Sequence, residues 1–290
     1  MKAPALALSL ALLAAPVVVS AQLTVRSAAG VDAAAIAPTV TQFRNDLGGA
    51  LNGPGAHAGS DGRREINWDA VPNGFSAGNS LIANFFNQNS QRGLQLVNTA
   101  GGTGFMVSDA AAGGNGVGVR FDNLLAGYSS EFTTFTPQKL FTSLGSNVYD
   151  VIFFVPLTGP TLPGSARATV SGFGSVFADV DQAGTTALQF FDINDNSLGA
   201  FAAPTASQGL SFLAAFVNGG PQIARVRFTL GNVVIGTTAD LRNFDVVVAD
   251  DFIYGEPVSV TTSVPEPGSL GLLGLGVASL LWSRRRANLR

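Results

Sequence analysis

The 290-residue chain has no cysteine. That excludes disulfide staples, thiolate metal sites and thiol nucleophiles. It has one histidine, His57, in a loop rich in Gly and Ala. A Ser-His-Asp arrangement would depend wholly on that residue, and a solvent-exposed loop histidine is the simpler expectation. Rings that offer a flat face to sugars are scarce, with two tryptophans and three tyrosines against 21 phenylalanines. Most of the phenylalanines fall at strand positions and read as core. Charge is also sparse, at 12% of residues.

The two ends read as targeting sequence. Lys2, an apolar run from Leu6 to Val19, and Val19-Ser20-Ala21 form the pattern of a secretory signal peptide over residues 1–21, cut after Ala21. At the other end, Pro265-Glu266-Pro267 precede the 14-residue apolar run Ser269–Trp282, which stops at Arg284, Arg285 and Arg286. As a helix that run spans about 21 Å, short of a hydrocarbon core of about 30 Å. Arginines beyond an apolar run stay cytoplasmic, which leaves the body outside. This order of Pro-Glu-Pro, short hydrophobic helix and Arg cluster resembles a PEP-CTERM sorting signal. The resemblance implies transient membrane anchoring by the C terminus. It also implies processing by an exosortase and delivery to the cell surface or exterior.

Between the ends lie roughly 240 residues, enough for one large domain. Lys2, Glu266 and four arginines belong to the ends, so this remainder holds 11 basic and 18 acidic residues, a net charge of −7. Such a body repels nucleic acid and anionic lipid. The expected partners are the exosortase and, outside, a polysaccharide.

Residues 22–61 are Ala- and Gly-rich and predict one short helix, opened by Pro38, with Val40, Phe43 and Leu47 on one face and Gly48-Gly49 as the stop. Residues 62–257 predict about eleven strands, Gly118–Phe121 among them, with turn signals between them. The expected fold class is all-β, an antiparallel β-sandwich or jelly roll. Residues 258–290 are linker and sorting signal. Five stretches in order, VSGFGSVFADVD, LQFFDINDNSLGAF, GLSFLAAFV, IARVRFTLG and VVVADDFIYGEP, resemble the closing strands of jelly-roll domains similar to carbohydrate-binding modules. GRREINWDAVP at 62–72 would be the opening strand. Residues 73–147 carry no such resemblance.

Asp250-Asp251 is the densest chemical feature. On a strand, neighbours point to opposite faces, so one carboxylate is expected inside and one outside. Glu65, Asn67 and Asp69 share a face by the same period of two. First and last strands lie close in a jelly roll, so Glu65, Asp69 and Asp250 are candidate ligands for calcium, which takes six to eight oxygens. The resemblance implies a structural calcium at such a place. The alternative is that these carboxylates face solvent or pair with Arg63, Arg64 and Arg242. Trp68 is the candidate platform for a sugar, or else a core residue. Asp192–Asn196 reads as a tight turn, and 113–118 as a flexible glycine loop. The expected function is an exported, non-enzymatic envelope or extracellular-matrix protein with polysaccharide as candidate ligand. A secreted glycoside hydrolase or lyase is the alternative.

Overall fold

A computed structural model describes residues 22–158, 166–237 and 243–260. The signal peptide, Arg242, the Pro-Glu-Pro motif, the sorting helix and Arg284–Arg286 lie outside them. In chain order the described elements are β1 (Leu23–Gly30), α1 (Ala33–Asp46), β2 (Arg63–Ile66), α2 (Phe85–Gln88), β3 (Leu94–Asn98), β4 (Gly104–Val107), α3 (Tyr128–Glu131), β5 (Phe141–Leu144) and β6 (Val148–Phe153). Then come β7 (Ala168–Thr169), β8 (Gly172–Val180), β9 (Ala187–Phe191), β10 (Ser197–Ala202), β11 (Ala206–Val217), β12 (Arg225–Thr229), β13 (Val248–Gly255) and β14 (Val258–Ser259). The body is an antiparallel β-sandwich with few short helices. One sheet runs β1-β11-β8-β13-β5-β4, with β2 also on β13, and the other runs β10-β9-β12-β6-β3.

The core between the sheets is built from Val, Leu and Phe, with rings in contact. Phe141 stacks on Trp68 at 4.2 Å, and Tyr149 stacks on Phe228 at 4.6 Å. Such pairs are worth about 0.5–1.5 kcal/mol beyond burial. The larger sheet is covered on its outer face as well. There Ile36, Val40 and Phe43 of α1 pack with Phe121, Tyr128 and Phe132 over Val176, Phe212 and Ile253. Strands buried on both faces lose the polar-out alternation, and every residue of β8 and β13 is buried. Gly174 allows this cover: a Cβ there would lie 2.5 Å from the Ala214 Cβ and 3.0 Å from the Phe43 ring.

Three local expectations change. The helix begins a turn earlier, because Asp32 caps it by accepting from the Ala35 N–H, and Pro38 sits inside it. The stretch before it is not featureless: β1 pairs with β11 along all eight residues. Gly118–Phe121 is not a strand. Arg120 and Phe121 have positive φ, and the stretch makes one bridge, Asp109 to Val119.

Candidate functional site

The site forms where strand β13 changes partners. One edge pairs with β8 at Val248 and Ala249 and again from Phe252 to Tyr254. The other pairs with β2 over Phe252–Gly255 but with β5 only at Ala249. Asp250 and Asp251 fall in the split. Opposite them, three steps on β13, from Ala249 to Phe252, match two on β8, from Phe177 to Ser175. That extra residue is a β-bulge. Ala249, Phe252 and Tyr254 face the inter-sheet core while Val248 and Ile253 face the outer cluster. The bulge absorbs the odd residue between these faces. Adjacent carboxylates that alternation would send to opposite faces therefore both reach Thr136.

At the split Trp68 supplies a donor to the strand. Its indole Nε1 donates to the Asp250 carbonyl at 2.8 Å. To do so Trp68 takes φ +64°, a left-handed conformation that costs a bulky residue about 1–3 kcal/mol. Its ring is held by Phe141, Phe86 and Phe252. Trp68 is 1% exposed, so it is a core side chain that completes the sheet, and it offers no face to a sugar. Tyr128, Tyr149 and Tyr254 are equally buried.

Both acids are closed to solvent, Asp250 at 0% and Asp251 at 1% exposure. The Phe135 N–H donates to Asp250 Oδ2 at 2.6 Å. Thr136 Oγ1 lies 2.7 Å from Asp251 Oδ1, 3.5 Å from Asp250 Oδ1 and 3.5 Å from the Asn67 carbonyl. A hydroxyl has one proton, so three acceptors compete for it. Among the described residues no Lys or Arg forms an ion pair with either acid. Burial, then the charge of Asp251, pushes Asp250 well above the usual carboxylate range. Burial raises Asp251 to about 6, opposed by its hydrogen bonds to Thr136 and Asp250. Both shifts favour keeping a proton on the pair. A hard cation would answer the same deficit, because carboxylate, hydroxyl and carbonyl oxygens are the donors calcium takes.

The expected three-carboxylate set does not assemble. Glu65 accepts from Arg44 at 2.9 and 2.7 Å and from Arg63 at 2.7 Å. Asp69 accepts the backbone N–H groups of Gln138 and Lys139. The reason is local: β2 ends at Ile66, and the turn at Trp68 breaks the period of two. Among the described residues no group of three or more His, Asp or Glu side chains is placed to hold a metal. The oxygen cluster instead joins Asp250 and Asp251 with Thr136 and the Asn67 carbonyl. Thr136 sits in an irregular stretch that no periodicity marks.

Two other clusters escaped sequence reasoning. Arg64 and Glu256, 0% and 2% exposed, form a bidentate pair at 2.7 Å. The same guanidinium donates to the carbonyls of Gly53, Gly55 and Gln91, and Asn52 donates to Glu256. Gly74-Phe75-Ser76-Ala77-Gly78 spells the Gly-x-Ser-x-Gly pattern of serine hydrolases, but its setting is wrong for one. Ser76 is fully buried behind a 3-10 turn, and its oxygen accepts from the buried Lys139 Nζ at 3.0 Å. His57 contacts Asp61 in an exposed loop. The 113–118 glycines are shaped by a neighbour rather than left free: Asp109 accepts the N–H groups of Ala110, Asn115 and Val117. Asp192 likewise accepts from Asn194 and Asn196, closing the β9–β10 turn as expected.

Comparison with known proteins reaches the tail more firmly than the body. No curated protein matches the chain. Among solved structures, the enzymatically active domain of bacteriophage CBA120 tailspike protein 4 is similar at 12% identity and a TM-score of 0.28. That match covers 65% of this chain and 21% of the phage chain, so this chain spans about a fifth of it. A likeness this slight carries no argument about activity. Residues 263–286, by contrast, match the PEP-CTERM protein-sorting motif, and the chain is therefore an exported protein sorted, and processed at its C terminus, by an exosortase.

Proposed function

We propose that the body is a non-enzymatic component of the cell envelope or extracellular matrix, held in shape by calcium at the Asp250–Asp251 pair. The observation that carries this reading is the proton deficit around Thr136. Two buried acids and a carbonyl converge on one hydroxyl, and among the described residues no cationic side chain is paired to the acids. Burying uncompensated charge costs several kcal/mol per ion. Asp250, Asp251, Thr136 and the Asn67 carbonyl would be the protein ligands, with water completing the shell. Bound calcium would join the 66–69 corner, the 135–139 segment and β13 at the split in the sheet. This suits a protein that works outside the cell, where calcium is abundant.

A hydrolase finds less support. Glycoside hydrolysis uses carboxyl groups on either side of an open cleft, about 5–5.5 Å or roughly 6.5–9.5 Å apart. The acid pair here is adjacent in sequence and closed to solvent. Polysaccharide is the candidate external ligand. With Trp68 and the tyrosines buried, it would be held by polar contacts and not by stacking on those rings.

The test is the melting temperature of the protein at pH 7, in calcium and then in chelator. Calcium at about 100 times its Kd adds about 2.7 kcal/mol, a rise of roughly 5–10 °C for a body of this size. Asp250→Asn should abolish the rise. A melting curve unchanged by calcium overturns the proposal. Titration with the host's exopolysaccharide then separates a lectin-like role, shown by saturable binding, from a purely structural one.

A further inference from the structure

On the far side of the Trp68 corner lies a cavity of about 300 Å³, at the small end of the range for small-molecule sites. Phe75, Phe85 and Phe86 line it with Trp68, and Phe75 is only partly buried. The Phe75 and Phe85 rings meet edge to face at 5.0 Å. Arg92 lines the same cavity.

Arg92 is the unusual member. It is half-buried, and Nη1 donates to Ser90 Oγ. Among the described residues, Nε and Nη2 have no acceptor and no carboxylate pairs with the guanidinium. Glu65 also lines the cavity, but Arg44 and Arg63 already hold its carboxylate. Arg64 is near enough to act on Arg92 as a like charge, and its own charge is spent on Glu256. A guanidinium stays ionised in a protein, and a partly desolvated charge without a counter-ion is costly. Its planar fork matches a carboxylate.

We propose that this cavity binds a small organic acid, a single carboxylate on a ring. The carboxylate sits on the free edge of the Arg92 guanidinium and the ring lies against Phe75 and Phe85. Asn89 and Ser90 line the cavity beside Arg92 and supply hydrogen bonds to polar substituents. The ring could be that of a free aromatic acid or that of a uronic acid within a polysaccharide; the recognition chemistry is the same. The inference stands apart from the calcium reading, since it uses neither acid of the pair.

The experiment is calorimetric titration of the full chain with benzoate and with glucuronate, each against a neutral counterpart, benzyl alcohol and methyl glucoside. At least one acid should bind saturably, about tenfold or more tighter than its neutral counterpart. Benzoate binding assigns an aromatic acid, and glucuronate binding assigns an acidic sugar. Arg92→Gln should bring the acid down to the level of its neutral counterpart. Should that variant fail to fold, Arg92→Lys keeps the charge without the fork and should weaken the acid while leaving the neutral compound unchanged. Failure of both acids to bind, equal binding of acid and neutral compound, or acid binding unaffected by substitution at Arg92 would each overturn the proposal.

Discussion

Strand β13 and the residue just beyond it hold two buried ionic clusters with opposite bookkeeping. At Glu256 every charge is answered: the carboxylate takes two donors from Arg64 and one from Asn52, and the remaining Arg64 donors end on carbonyls. At Asp250–Asp251, six and five residues earlier, Asp250 takes one backbone N–H and Asp251 one hydroxyl. The first cluster is electrically closed and has no use for a further ion. The second is open and must take a proton or a cation. Burial alone therefore does not separate a structural charge from a functional one; the balance of donors and acceptors does.

The largest effect is expected from opening the closed cluster. Glu256→Ala leaves the Arg64 guanidinium buried without its counter-ion and should cost about 3–5 kcal/mol, lowering the melting temperature by roughly 6–20 °C. Replacing both residues by Met should recover most of that loss. A single variant that melts like the parent would mean that the pair contributes little.

Next comes the open cluster without metal. Asp251 titrates at about 6 in the folded body, above its free value of about 3.9. A raised carboxyl binds its proton more tightly when folded. Its stabilisation is thus complete below about pH 4 and is lost as pH rises through about 6, a change of roughly 3 kcal/mol. Melting in chelator between pH 4 and 8 should show that decline added to the one that the raised carboxyl of Asp250 gives in the same direction, and Asp251→Asn should make the curve shallower by its share. If calcium takes the pair as proposed, it competes with the proton, and its contribution should grow over the same interval. A parent curve in chelator that matches the Asp251→Asn curve would show that no proton is shared.

The smallest expected effect is that of Thr136→Val. It removes one buried hydroxyl, worth about 1 kcal/mol and roughly 2–4 °C, and should weaken the calcium response more than the chelated baseline. Equal losses in both conditions would take Thr136 out of the ion site.

The sandwich was legible because its strands are dense in Val, Ile and Phe between Gly and Asn turns. Asp250-Asp251 was legible as a pair, but not as a pair meeting the same hydroxyl. That geometry needs a bulge, and a bulge is set by the register against β8 rather than by anything in VVADDFIY. The expected partnership of Glu65 and Asp69 failed for a related reason. Period-two reasoning holds only while the strand lasts, and β2 gives way to a left-handed Trp68. Thr136 and Arg92 lie in stretches with no repeat of polarity, and their roles come from contacts with residues far away in sequence. The N-terminal strand was hidden by composition: LTVRSAAG is half-exposed at a sheet edge and needs few large side chains.

The clamp at Glu256 also has a mechanical meaning. Whatever tension the C-terminal tail experiences during sorting meets the short β14–β7 pairing first and then this residue, directly after β13. That strand is interior to its sheet, bonded to β8 on one edge and to β2 on the other. The Arg64 fork ties the point of entry to the 53–55 loop and to residue 91. Load that passes β14 would be shared across these segments at once instead of unzipping one edge of the sheet.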